Sequence, residues 1–282
     1  MAQGTVKLPG RGETFATDQD GATGQGFPIH TLRTLTVGVP GISMTDDSIT
    51  GLTSLVKFGR NAAVGATEED IWAAGGTYTG FLTAASAVRI RAGGNAADDA
   101  SGAGARSIEV EGLDQDWNVA TETISTAGAS ASTATTTTFI RVYRVCVVDV
   151  GTYTGANTGT ISVETTGGAL MATIEAGLGQ TQQAIYTVPA GKTAYVVSLS
   201  IFVDTNFSAR VYLWQRQNAD DVSAPFTGKR IWRPFDGVSG AVDGPVAFPY
   251  VFPAKTDIWA SAIGPSAGAG VAVEMHVALV DD

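Results

Sequence analysis

Thr193-Ala194-Tyr195-Val196-Val197-Ser198-Leu199-Ser200-Ile201-Phe202-Val203-Asp204 reads as one long β-strand. Tyr195, Val197, Leu199, Ile201 and Val203 alternate with Val196, Ser198, Ser200 and Phe202. A period of two puts the first set on a single apolar face that a core must cover. Upstream, Gln183 to Val188 is a second strand, and Pro189-Ala190-Gly191-Lys192 between them is turn material. Downstream, Ala209, Val211 and Leu213 point inward from Ser208–Arg216, with Arg210, Tyr212, Trp214 and Arg216 outward. Near the end, Val271, Val273, Met275, Val277 and Leu279 alternate with Ala272, Glu274, His276 and Ala278. Strands of this number and spacing predict an antiparallel β-sandwich, jelly-roll-like, over residues 166–282.

The same texture extends upstream and predicts another β-sandwich over residues 58–165. Ala87–Arg91, Ser107–Glu111 and Ala120–Ser125 are short strand signals, the last two joined through Asp114-Gln115-Asp116-Trp117-Asn118. Phe139–Val148 is the strongest strand of this region. Its apolar run, interrupted only by Arg141 and Arg144, suits a strand covered on both faces. Thr67–Ala73 is the one short helical candidate. Residues 1–57 are broken by glycines too often for a helix, though Thr31–Val37 is strand-like. They read as an extended N-terminal arm lying on a neighbour, or as first strands of the next domain behind a loose terminus. The pentapeptide Gly-Thr-Tyr-Thr-Gly at 76–80 and 151–155 is too short to mark a repeat and is read as a coincidence of composition.

Composition agrees with an all-β chain. Of 282 residues, 44% are hydrophobic, enough for a packed core, and only 16% are charged, so Thr, Ser, Asn and Gln must supply much of the polar surface. The net charge of −10 disfavours packing against nucleic acid. No apolar run reaches the ~20 residues that a spanning helix needs, and Met1–Thr14 lacks the apolar core of a signal peptide. Synthesis in the cytoplasm, with no membrane partner, is the expectation. Cys146 cannot form an internal disulfide, and its apolar strand context predicts a buried, inert thiol.

A search for reactive chemistry finds little. His30 and His276 are the two histidines, and His276 shares a strand face with Glu274, which reads as a surface pair. Two histidines and one cysteine are poor material for a zinc site. Neither a Gly-x-Ser-x-Gly elbow nor a phosphate-binding Gly-x-x-x-x-Gly-Lys motif occurs. Asp114, Asp116 and Asn118 begin a calcium-loop spacing, but Val119 and Ser125 stand where that loop wants Gly and Glu, so an Asx-rich turn is favoured. No catalytic residue, metal or cofactor is expected. Aromatic residues beside arginine in Lys229-Arg230-Ile231-Trp232-Arg233-Pro234-Phe235 are candidates for an interface, because Trp and Arg are enriched at interface centres. The candidate contact residues are Phe27, His30 and Arg33 in the arm, and Arg230, Trp232, Arg233 and Phe235 in the last domain.

Ile108 to Asn118, Thr121 to Ile124 and Phe139 to Val145, with Phe58-Gly59-Arg60-Asn61, Glu69-Asp70-Ile71-Trp72 and Tyr186 to Ala194, resemble a pattern recurring in virion structural proteins of tailed phages. The resemblance covers roughly residues 58–200 and consists of short strand-and-turn motifs, none of them catalytic. It implies a non-enzymatic virion component. The expectation drawn from it is a capsid decoration or cement protein on the capsid exterior, bound through its arm to the major capsid protein or other virion proteins. A homotrimer is implied by analogy. The rival expectation is a tail or fibre component that binds a host-surface glycan or protein around Trp232.

Overall fold

The computed structural model describes residues 51–282 and, before them, the backbone of two strands. The chain divides after Thr50 into two units. In the first, β1 (Gly4–Lys7) pairs antiparallel with β2 (Thr14–Thr17). The strand expected at Thr31–Val37 and the candidates Phe27, His30 and Arg33 lie outside the described residues.

Every helix or strand of the second unit is a strand, so the all-β expectation holds among the described residues. In order these are β3 (Leu52–Val64), β4 (Glu69–Asp70), β5 (Ser86–Ile90), β6 (Ala105–Asp114), β7 (Val119–Ser125), β8 (Thr138–Val150), β9 (Ile161–Thr165), β10 (Leu170–Ile174), β11 (Ile185–Thr187), β12 (Lys192–Val203), β13 (Ala209–Arg216), β14 (Arg230–Val238), β15 (Gly240–Phe252), β16 (Asp257–Ile263) and β17 (Ala269–Asp281). Thr67–Ala73 forms no helix. Its Glu69 and Asp70 pair with Ala262 and Ser261 of β16, so a tertiary partner outweighs weak local preference.

Three antiparallel sheets result. The first has the order β10-β9-β5-β8-β6-β7, the second β11-β16-β13-β14 with β4 beside β16, and the third β15-β12-β17-β3. The second and third share one core: Ala209, Val211, Leu213, Ile258 and Ala260 meet Val196, Leu199, Ile201, Val271, Val273 and Met275. The first encloses a separate core around Val88, Ile108, Val110, Phe139, Val145, Val163 and Met171. The sheets do not follow tandem order along the chain. The boundary read at 57/58 falls inside β3, which pairs with β17 from Val64 back to Leu52. The boundary read at 165/166 separates β9 from its sheet neighbour β10. The strands β5–β10 are therefore inserted between the first and later strands of a two-sheet sandwich. The apolar strand β17 needs a partner on each flank, and it finds β12 on one and β3 on the other.

Bulges interrupt several strands, and those in β12 and β8 decide which side chains reach the cores. In β12, Val196 faces Val277 and Ser198 faces His276, leaving Val197 unmatched. One inserted residue reverses the side-chain parity, so Ala194 and Val196 are buried on one side of it and Leu199, Ile201 and Val203 on the other. Tyr195 and Val197, expected in the core, are only half-buried. In β8, Ile140 and Tyr143 have no counterpart on β6. These two residues enter the sandwich core, whereas Phe139, Val142 and Val145 enter the core of the inserted sheet. Both faces of this part of β8 are thus covered, as its composition predicts. Gly112 faces the bulge: a Cβ there would stand 2.1 Å from the Arg141 carbonyl oxygen. Gly59 on β3 lies under no bulge, but another backbone passes close by, and a Cβ would meet the Ala184 backbone nitrogen at 2.0 Å.

Arg141 ties the inserted sheet to the sandwich. It is buried, and its Nε and Nη2 donate to Asp257 Oδ1 and Oδ2 at 2.9 and 3.0 Å. Its Nη1 donates to the carbonyls of Leu82 and Ile140 at 2.8 Å each. Thr187 Oγ1 donates to Asp257 Oδ1 at 2.7 Å. The guanidinium also lies 5.0 Å from the Trp117 ring centroid and 5.3 Å from that of Phe81. Geometry this complete is what allows a charge pair to be buried at all.

Candidate functional sites

The four C-terminal candidates fall together on β14, the last strand of its sheet. Arg230 is exposed, and Arg233 sets its guanidinium 4.9 Å from the Phe235 ring centroid. Trp232 is half-buried: its indole N–H donates to the Trp214 carbonyl at 3.1 Å, and its ring lies 4.5 Å from Tyr250 and 5.3 Å from Phe252. Much of that ring covers the core, and the open part of the strand is carried by Arg230, Ile231 and Arg233.

Sequence periodicity did not single out the neighbouring strand. β15 is the outer strand of its own sheet, and it leaves the β12 ladder between Pro245, opposite Ser198, and Tyr250, opposite Val196. Four residues on β15 therefore face the single Val197 of β12. At the crest of this excursion Phe248 is 86% exposed, followed by Pro249 and by exposed Val251. Among the described residues, an aromatic ring this exposed on an edge strand has no packing partner. The prolines were a legible signal, because proline in a strand marks an edge or a bulge.

A second site lies where β4, β16 and the start of β14 meet. A cleft of about 260 Å³ is lined by Glu68, Asp70, Thr77, Tyr78, Phe81, Lys229 and Trp259. Its wall is an aromatic run. Trp72 meets Tyr78 edge-on, Tyr78 meets Phe81, Phe81 lies 5.2 Å from Trp259, and Trp259 stacks on Trp214 at 16°. The polar rim is held by a relay: Trp214 Nε1 donates to Ser261 Oγ at 2.8 Å, and Ser261 Oγ donates to Glu68 Oε1 at 2.8 Å. Lys229 Nζ stands 4.1 Å from the Trp214 ring centroid and 3.8 Å from Glu68 Oε1. Asp70 is 8% exposed, accepts the Tyr78 backbone N–H at 2.7 Å, and has its carboxyl pKa raised, chiefly by burial. No sequence spacing announces this cleft, because Glu68 and Trp259 meet only through the β4–β16 pairing.

The remaining candidates are structural. Asp114 Oδ1 accepts the backbone N–H groups of Asp116 and Asn118 at 2.8 and 3.0 Å, as an Asx turn does. His276 and Glu274 meet at 2.7 Å with both side chains partly exposed, a surface pair. Cys146 is half-buried where a buried thiol was expected, because the end of β8 runs out toward solvent. The two Gly-Thr-Tyr-Thr-Gly copies have opposite fates. Tyr78 is buried with its hydroxyl 3.0 and 3.1 Å from the carbonyls of Val142 and Met171, whereas Tyr153 is 94% exposed. Shared letters without shared environment fit coincidence.

The sequence matches no protein-family model. It matches no curated protein. Among solved structures, similarity extends to infectious bursal disease virus, Gt strain, at 11% identity over 86% of this chain and 83% of that one, TM-score 0.19. A VP2 subviral particle of infectious bursal disease virus gives 9% identity over 86% and 82%, TM-score 0.17. Isomalto-dextranase of Arthrobacter globiformis T6, complexed with panose, gives 12% over 81% and 35%, TM-score 0.19. Scores this low carry no argument about fold or function.

Proposed function

We propose that the protein is a non-enzymatic structural component of a tailed-phage virion that works by making protein contacts. The observation that carries this reading is the Phe248 excursion on β15 together with the Arg230–Phe235 strand, which places an exposed aromatic, exposed aliphatic residues and arginines on the outer strands of the two sheets that share the sandwich core. These strands meet where Trp232 packs on Tyr250 and Phe252. Aromatic and arginine side chains are the usual energetic centres of protein interfaces. The resemblance of residues 58–200 to tailed-phage virion proteins supports the same reading.

Within it, we place the protein on the capsid exterior as a decoration or cement protein, a homotrimer bound to the major capsid protein. The division of the chain after Thr50 supports giving attachment to the leading segment. Repetition over a lattice makes modest contacts sufficient, since avidity multiplies single-copy affinity. Stoichiometry on purified particles tests the placement. Hundreds of copies per particle are expected, and a dozen or fewer would move the protein to the tail. Removal of residues 1–50, which spares β3, is expected to abolish binding to particles lacking the protein while leaving the melting transition in place.

A further inference from the structure

The cleft between β4 and β16 combines features that the virion reading does not use. Within about 260 Å³ it offers two carboxylates, one ammonium and an apolar aromatic wall. Volumes of this order sit just below the range of drug-sized pockets, ~300–1,000 Å³, and suit one small ring. The Trp214–Ser261–Glu68 relay fixes Glu68, the Tyr78 backbone fixes Asp70, and the stacked indoles fix the wall, so the groups are held in place before any ligand arrives.

The chemistry of the lining narrows the ligand. A simple anion would face both Glu68 and Asp70. A simple cation would compete with Lys229, whose ammonium already lies over Trp214. A hydroxylated ring meets every group. Its O–H groups donate to the carboxylates, its oxygens accept from Lys229, and its C–H face lies against Phe81 and Trp259. We infer that this cleft binds one neutral pyranose residue of a glycan, with Glu68, Asp70 and Lys229 as its polar contacts and Phe81 and Trp259 as its apolar ones. The inference is independent of the protein's position on a particle, and it places a glycan contact at Trp259 and away from Trp232.

The test uses the full chain and the methyl glycosides of glucose, galactose, mannose and N-acetylglucosamine, by saturation-transfer NMR and tryptophan fluorescence. At least one glycoside is expected to give saturation transfer and to alter the Trp214 and Trp259 emission, with a dissociation constant in the millimolar range. Glu68→Gln and Lys229→Ala, both at partly exposed positions, are each expected to weaken binding about tenfold, the effect of losing one charge-assisted hydrogen bond. An unchanged melting transition shows that each variant is folded. Absence of transfer from all four glycosides overturns the inference, as does transfer that both variants leave unaltered. A response to N-acetyl-lysine methylamide without any to the glycosides would make the cleft an ammonium site and overturn it equally.

Discussion

Lys57 on β3 should make the protein more stable as pH rises from 7 toward 10, and a single substitution should remove that dependence. The side chain is 7% exposed, its ammonium donates to the Tyr143 carbonyl, and it lies 5.4 Å from the Tyr143 ring centroid. Tyr143 is one of the unmatched residues of β8, so Lys57 supplies a donor where β6 has no counterpart. Burial lowers the lysine pKa from 10.5 to about 7; Glu111 opposes the change and Arg144 adds to it. The unfolded chain keeps its proton up to about 10.5, whereas the folded chain releases it near 7. Between those values the unfolded state binds more protons, and stability must rise with pH. The gap of about 3.5 pH units, at ~1.4 kcal/mol each, makes the charged lysine cost about 5 kcal/mol below pH 7, a cost relieved progressively toward pH 10.5. Lys57→Met removes that cost but leaves the Tyr143 carbonyl without its donor, at ~1–3 kcal/mol. The variant should therefore be more stable than the parent by roughly 2–4 kcal/mol near pH 6, and less stable by about 0–2 kcal/mol near pH 10, where ~1 kcal/mol of the lysine cost still remains. Burial raises the pKa of Tyr78, Tyr143 and Tyr186, so stability held by their protonated forms is lost above about pH 10. These tyrosines are present in both proteins, and the difference between the two curves isolates the lysine. Guanidinium unfolding followed by tryptophan fluorescence across this range measures it. Parallel stability curves, with no change of sign, would refute the reasoning.

Three further outcomes follow from the packing. Asp257→Asn strands the Arg141 guanidinium and should cost ~3–5 kcal/mol in urea unfolding, while replacing both residues with apolar ones of similar volume should cost far less; equal losses would deny that the pair acts as a unit. Gly112→Ala drives a methyl toward the Arg141 carbonyl and should destabilise by ~1–3 kcal/mol or more, whereas Gly177→Ala, which meets nothing within 4 Å but has φ +79°, should cost less in the same denaturation series. Phe248→Ser should leave the unfolding midpoint within ~0.5 kcal/mol of the parent while reducing binding to particles that lack the protein; undiminished binding would remove Phe248 from the contact surface.

What local chemistry determines is legible in this chain. The inward residues of β13 and β17 were readable from alternation alone, because Ala209, Val211, Leu213, Val271, Val273, Met275 and Val277 lie on runs without a bulge at those positions and one buried face imposes a period of two. The double covering of β8 was readable from its composition. The bulges at Val197, Ile140 and Tyr143 were not, because an inserted residue is defined only by the partner strand that skips it. Partner choice was hidden for the same reason: β3 joins β17 across most of the chain, and β4 becomes a strand only because β16 lies beside it. The Arg141–Asp257 link and the Glu68–Lys229–Trp259 cleft are assembled from segments far apart in sequence, so no spacing could announce them. Alternation reports which face of a strand is apolar. Only the folded sheet decides which backbone satisfies its hydrogen bonds, and with that which distant side chains meet.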